Sequence, residues 1–195
     1  INSEIKLRKR KKKYLEDARY YVEDVRKYLV NEYGFDKIYK QGLTIKTPIN
    51  LELQSIATQS LREGLEAYDK RKGWRGPILN KDYTDIWNKN LKKYKLEKTI
   101  GWDLAIVKKI SKFSVEIETE KKKKGKINYQ DVSWTKKELD KIFKKGDIIY
   151  VKNIKDNLYS LKQVPKANGG IVVLNPYTGR VVAMSGGFSF KLSEF

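Results

Sequence analysis

The run 169–188, Gly-Gly-Ile-Val-Val-Leu-Asn-Pro-Tyr-Thr-Gly-Arg-Val-Val-Ala-Met-Ser-Gly-Gly-Phe, constrains the fold more than any other stretch of this chain. Two apolar runs, 171–174 and 181–184, flank a string of turn formers. Asn175 and Pro176 open the turn, and Gly179 can take the positive φ that closes it. The spacing predicts one β-hairpin. Both runs are nearly continuous in apolar residues, which predicts burial on both faces within a larger sheet. The pairs Gly169-Gly170 and Gly186-Gly187 predict tight bends at the hairpin ends.

Upstream, helical spacing over 14–33 places Leu15, Ala18, Val22, Val25 and Leu29 on one face, and Gly34 ends the helix. A short strand is expected at 42–47, closed by Pro48. Asn50 then caps a helix whose apolar face carries Leu53, Ile56, Ala57, Leu61, Leu65 and Tyr68 and which ends before Gly73. The stretch 74–165 reads differently. Strands are expected at 102–110 and 113–119, then a charged turn at 121–126 containing Gly125, then a strand at 127–132. A helix at 135–143, capped by Ser133 or Thr135, precedes two further strands at 147–153 and 158–164. Three strands, a helix and two strands is the order of an OB-fold barrel. Trp74, Trp87, Trp102 and Trp134 read as core or seam packing.

Composition narrows the chemistry. The 195 residues contain no cysteine and no histidine, which excludes disulfides, thiolate catalysis and Ser-His-Asp triads. A zinc site would need carboxylates alone. No apolar run approaches ~18 residues, and no signal peptide is visible. The net charge of +19 is spread over nearly every segment, as on solvated faces, with one dense cluster at 6–13 that suits a basic arm for nucleic acid or lipid, or an exposed linker. The acidic pairs Glu16-Asp17 and Glu23-Asp24 read as solvated charge. OB-folds often bind single strands through strands two and three. Here Phe113, Val115 and Ile117 should point inward, leaving Ser114, Glu116, Glu118 and Glu120 outside. Carboxylates there would repel phosphate, and Tyr129 is the one aromatic of strand three. The expectation is therefore no nucleic acid. A stand-alone basic OB-fold protein binding single-stranded nucleic acid is the rival reading.

The hairpin resembles the opening of the transpeptidase domain in class A (bifunctional) penicillin-binding proteins of the 1A type. There a small pair, an apolar run, Asp/Asn-Pro-x-Thr-Gly, a second apolar run and Gly-Gly-aromatic follow in order. Residues 42–54, Gly-Leu-Thr-Ile-Lys-Thr-Pro-Ile-Asn-Leu-Glu-Leu-Gln, resemble that family's strand leading into a helix, with Pro48 replacing a threonine. Tyr20-Tyr21-Val22-Glu23-Asp24-Val25-Arg26 resembles its interdomain linker. Trp134 and the runs 146–151 and 161–165 resemble its inserted barrel. The resemblance covers about 13–195.

It implies an α+β fold: an OB-like five-stranded β-barrel inserted in the N-terminal part of a penicillin-binding transpeptidase domain. The expected division is 1–41, basic arm and linker helix; 42–73, first transpeptidase strand and helix; 74–166, OB-like insert; 167–195, transpeptidase hairpin. It implies a parent peptidoglycan glycosyltransferase and serine-type D-Ala-D-Ala transpeptidase on the periplasmic side of the inner membrane. The parent's partners would be lipid II and peptidoglycan strands, with a regulatory protein at the insert and a membrane anchor outside this chain. Ser-x-x-Lys, the family's nucleophile motif, occurs at Ser3–Lys6 and Ser133–Lys136, but no Ser-x-Asn accompanies it and Tyr177 precedes Thr178-Gly179 where a lysine would be needed. Both matches read as accidental. The expectation is no catalytic, cofactor-binding or metal-ligating residue in this chain, both active sites lying outside it.

Overall fold

The computed structural model describes residues 16–79 and 91–193. The start of the first helix at Tyr14 and Leu15, the basic cluster 6–13, Ser3–Lys6 and Trp87 lie outside the described residues.

Five strands close into a barrel in the order β1-β2-β3-β5-β4: β1 Asp103–Ile110, β2 Ser114–Thr119, β3 Lys124–Asn128, β4 Ile148–Lys155 and β5 Leu158–Lys162. Neighbours are antiparallel except β3 and β5, which meet in parallel at Lys126 and Leu158. Period-2 alternation turns Ala105, Val107, Val115, Ile117, Ile127, Ile149, Val151 and Leu161 inward, where Leu139, Ile142 and Phe143 plug the core. The run 148–151 is buried throughout because β4 is covered on its outer side as well. Leu91, Leu104, Ile148 and Tyr150 form a second cluster there, roofed by Ile78, Leu79, Tyr94, Leu96, Trp102 and Val164.

Between β3 and β4 the expected boundaries shift. The third strand begins at Lys124, so Gly125 is a strand residue and not part of a turn. The ring of Tyr159 occupies the space a Cβ at Gly125 would need. Residues Tyr129–Thr135 form a 3-10 helix, which Lys136 ends in the left-handed region at φ 56°. The α-helix here is only Leu139–Ile142, preceded by Glu138; neither Ser133 nor Thr135 caps it. Phe113 falls outside β2 and is 72% exposed, not inward.

The remaining elements form a helix–hairpin layer. A 3-10 turn, Glu16–Ala18, leads into α1, Arg19–Tyr33. Gly34 ends α1 as expected, and a further helix, α2 Phe35–Lys40, follows it. The buried face of this stretch runs through Ala18 and Tyr21, whereas Val22 is exposed. Asn50 caps α3, Leu51–Arg71, accepting from the Glu52 and Leu53 N–H groups at 3.0 Å each. The strand expected at 42–47 does not form. No described strand lies beside it, Leu43 and Ile45 are exposed, and just beyond it the Asn50 N–H donates to Val182 O of the hairpin at 2.8 Å. On α3 the buried positions are Gln54, Ala57, Thr58 and Asp69; Leu53, Ile56 and Tyr68 face solvent.

The hairpin pairs β6, Ile171–Leu174, with β7, Val181–Ser185. It closes at Gly179 with φ 66°. Among the described residues the sheet has two strands; α3 covers one face, and Val172 and Leu174 on the other are more than half exposed. The double burial expected of these apolar runs is therefore not met by the described residues. Gly187 is needed for close approach: a Cβ there would stand 2.6 Å from the Tyr20 hydroxyl and 2.8 Å from Asn168 Oδ1.

Candidate functional site

Where the barrel meets α3, polar side chains replace the apolar ones that an amphipathic helix would carry. Asp69 is the centre of this seam. Its carboxylate accepts from Arg75 Nη1 at 2.7 Å, Gln163 Nε2 at 2.7 Å and the Lys166 N–H at 3.2 Å. Burial alone would raise its pKa; the bonds from Arg75, Gln163 and Lys166 outweigh it and hold the carboxyl below its ordinary value. Arg75 also donates to Val164 O at 2.7 Å, and the Arg75 N–H donates to Gln163 Oε1 at 2.9 Å. Gln163 Nε2 reaches Gly73 O at 3.2 Å. The segments entering and leaving the barrel are thus zipped to each other and to α3.

A second fastening lies one turn back on α3. Lys162 Nζ pairs with Glu66 Oε2 at 2.6 Å, both side chains largely buried, and stands 5.4 Å from the Trp102 ring centre. Lys70, beside them, has its pKa lowered by burial and by the Lys162 charge. Trp102 packs on Tyr150 and Phe188 at 5.9 and 5.2 Å between ring centres. Trp74 and Trp134 meet edge to face at 6.1 Å over the barrel core. The described tryptophans thus pack the core and the seam.

Arg62 joins a third set. Its Nε donates to Phe188 O at 3.0 Å, and its Nη1 reaches Thr99 Oγ1 at 3.2 Å and Asp17 Oδ1 at 3.4 Å. Asp17 is therefore a partner in the junction, not the solvated charge expected for Glu16-Asp17. Glu23, by contrast, bonds only along its own helix to Arg26, which lowers its pKa. A cleft of 290 Å³ opens here, lined by Asp17, Arg62, Glu63, Glu66, Gly101 and Lys152.

The outer face of β2 carries Glu116 and Glu118, as expected. Each stands opposite a lysine, Glu116 across from Lys126 and Glu118 across from Lys124, and Lys108 Nζ pairs with Glu118 at 3.1 Å. Lys95 pairs with Glu120 at 2.7 Å. The face is thus an alternation of both signs, not the acidic strip expected of it. Ser133 is exposed and donates to Gln130 O at 2.9 Å. Among the described residues no group of three or more Asp or Glu side chains is placed to hold a metal ion, and no helix is long and apolar enough to cross a membrane.

Of the seam residues, Gln163 falls in the run 161–165 already singled out, while Glu66, Asp69 and Arg75 belong to no sequence motif. Their one signal is negative: Gln54, Thr58 and Asp69 interrupt the stripe of α3 at positions where burial predicts apolar residues.

The model of the penicillin-binding protein OB-like domain matches residues 74–167. Penicillin-binding protein 1A of Rickettsia prowazekii is 38% identical over 200 residues, covering 100% of this chain and 25% of that protein. Penicillin-binding protein 1A of Pseudomonas aeruginosa is 29% identical over 92% of this chain and 23% of its own length. The crystal structure of penicillin-binding protein 1A from Haemophilus influenzae matches with a TM-score of 0.75 at 28% identity, over 90% of this chain and 27% of that one. The chain spans about a quarter of the length of the curated relatives it matches.

Proposed function

The chain is of the penicillin-binding protein 1A type, carrying an OB-like barrel within an α+β fold, and on that premise we propose that it is the scaffold and docking segment of a cell-wall-synthesising enzyme. The parent polymerises glycan from lipid II and cross-links peptide stems by acyl transfer through a serine outside this chain. It works on the periplasmic side of the inner membrane, held by an anchor that is also outside this chain. On this reading neither chemistry falls to residues of this chain.

One observation supports the scaffold reading: the barrel is fastened to α3 at Asp69 and Glu66 through Arg75, Gln163 and Lys162, side chains committed to holding two modules together. A module fixed rigidly and bearing no chemistry suits a regulatory protein that docks on the barrel. The first experiment is intact-mass detection of a penicilloyl adduct on the full-length protein. A single adduct on a serine outside 1–195 is expected; no adduct on a folded protein would overturn the acyl-transfer reading. Replacing 74–165 by a short linker should then abolish the response to a regulator while the serine still forms its adduct, at a lower rate. An unchanged response would remove the docking role.

The charge of +19 favours a second reading, a basic OB-fold that binds single-stranded nucleic acid. Salt-dependent affinity for an oligonucleotide would support it, and absence of binding at low salt would dismiss it.

A further inference from the structure

We propose that Glu97 is a positioning residue that latches the segment leaving the hairpin, residues 188–193, to the strap that leads into the barrel. The inference rests on the reading that residues beyond the hairpin belong to the acyl-transfer module.

Glu97 stands immediately before the 3-10 turn Lys98–Ile100, itself directly ahead of β1. It is only 7% exposed. Both carboxylate oxygens are used, and both on one target: Oε2 accepts from Ser189 Oγ at 2.7 Å and Oε1 from the Lys191 N–H at 2.8 Å. Ser189 is itself buried, and its Oγ accepts the Leu192 N–H at 3.3 Å. Ser193 Oγ donates back to Ser189 O at 2.9 Å and is 2.7 Å from the Tyr20 hydroxyl. The same two segments are joined again through Arg62, which holds Phe188 O and Thr99 Oγ1, and through Trp102 against Phe188.

A carboxylate at this depth is costly unless its hydrogen bonds are made. Packing alone would be served by an apolar residue. Two directed bonds to one short segment instead fix its position relative to β1. Movement at the leading edge of the barrel is therefore felt at 188–193, which is how a partner on the barrel would reach the reacting centre without touching it.

The test uses the full-length protein with a fluorescent penicillin. Glu97→Ala should lower the acylation rate about tenfold, since small displacements of a positioned group cost that much or more. It should also speed amide exchange at 189–193. Glu97→Gln retains an acceptor and adds a donor, and should stay within about twofold of the unmodified protein. Ser189→Ala, which removes one bond from the other side and leaves Glu97 in place, serves if Glu97→Ala fails to fold; it should show a smaller loss of rate with faster exchange. A folded Glu97→Ala or Ser189→Ala protein with unchanged rate would overturn the positioning role, and unchanged exchange would overturn the latch. If the unmodified protein forms no adduct, the acyl-transfer reading fails on its own, while exchange still reports the latch.

Discussion

Gln54 holds Met184 by both of its main-chain polar groups: Gln54 Nε2 donates to Met184 O and the Met184 N–H donates to Gln54 Oε1, each at 2.9 Å. A side-chain amide on a helix thus does what a neighbouring strand would do for β7. The same Nε2 reaches Asp17 O at 2.9 Å and Thr58 Oγ1 at 3.1 Å, so one residue ties α3, the hairpin and the entry to α1. Gln54→Ala should destabilise the protein by about 3 kcal/mol, because buried backbone groups on two segments lose their partners. Gln54→Glu should cost nearly as much, since a carboxylate cannot donate to the carbonyls. Urea unfolding would check both, and a loss below about 1 kcal/mol would refute the account.

Asp69 should give the protein an acid-sensitive seam. Its pKa in the fold lies below the unfolded value, so its stabilisation is full above the unfolded pKa and is lost as pH falls through the folded one. Asp69→Ala should cost about 3 kcal/mol at neutral pH. The gap between variant and unmodified protein should close as the pH is lowered below the carboxylate range. A gap independent of pH would contradict this.

Asp147 should behave with the opposite sign. It is 1% exposed, its Oδ2 accepts the Lys144 N–H at 2.7 Å, and its Oδ1 is buried without a hydrogen-bond partner. Burial raises its pKa above the unfolded value. Stability is then greatest below the unfolded pKa and is lost as pH rises through the folded one. Asp147→Asn should therefore raise the melting temperature at neutral pH and leave it nearly unchanged in acid. A lower melting temperature at neutral pH would show that the carboxylate contributes more than its burial costs.

Gly125→Ala should open the barrel where β3 meets β5. The added methyl would overlap the Tyr159 ring, and the neighbouring pair Lys126–Leu158 closes the barrel. A loss of about 2 kcal/mol is expected, reduced when Tyr159 is also made smaller. A double-mutant cycle on folding stability measures this; additive losses would place the clash elsewhere.

The fold was legible where backbone propensity and burial agree. The Asn50 cap, the stops at Gly34 and Gly73, the turn at Gly179 and the five-strand order of the barrel all carry local signals, and each is present. Failures came where a distant residue decides. Gly125 reads as a turn until Tyr159 is seen to need its space. The stretch 42–47 has strand composition but no described strand beside it, and propensity without a partner makes no ladder. Leu53 and Ile56 read as core because α3 is amphipathic, yet the hairpin is gripped through Gln54, whose amide Thr58 supports. The seam was silent because Asp69 and Arg75 look like surface residues until the barrel's two ends are brought together, and the run holding Gln163 gave no sign of what it binds.

That meeting of ends has an evolutionary reading. Gly73 and Gln163 are 90 positions apart in sequence yet share a hydrogen bond, so the intervening barrel begins and finishes at one point on its host. Lengthening an insert whose ends already meet adds little closure entropy, about 0.6 kcal/mol for each doubling. The barrel behaves as a cartridge. It can be lengthened or exchanged at its far side while its two ends stay fastened to α3, so the outer surface of the barrel is free to change without a change in the host.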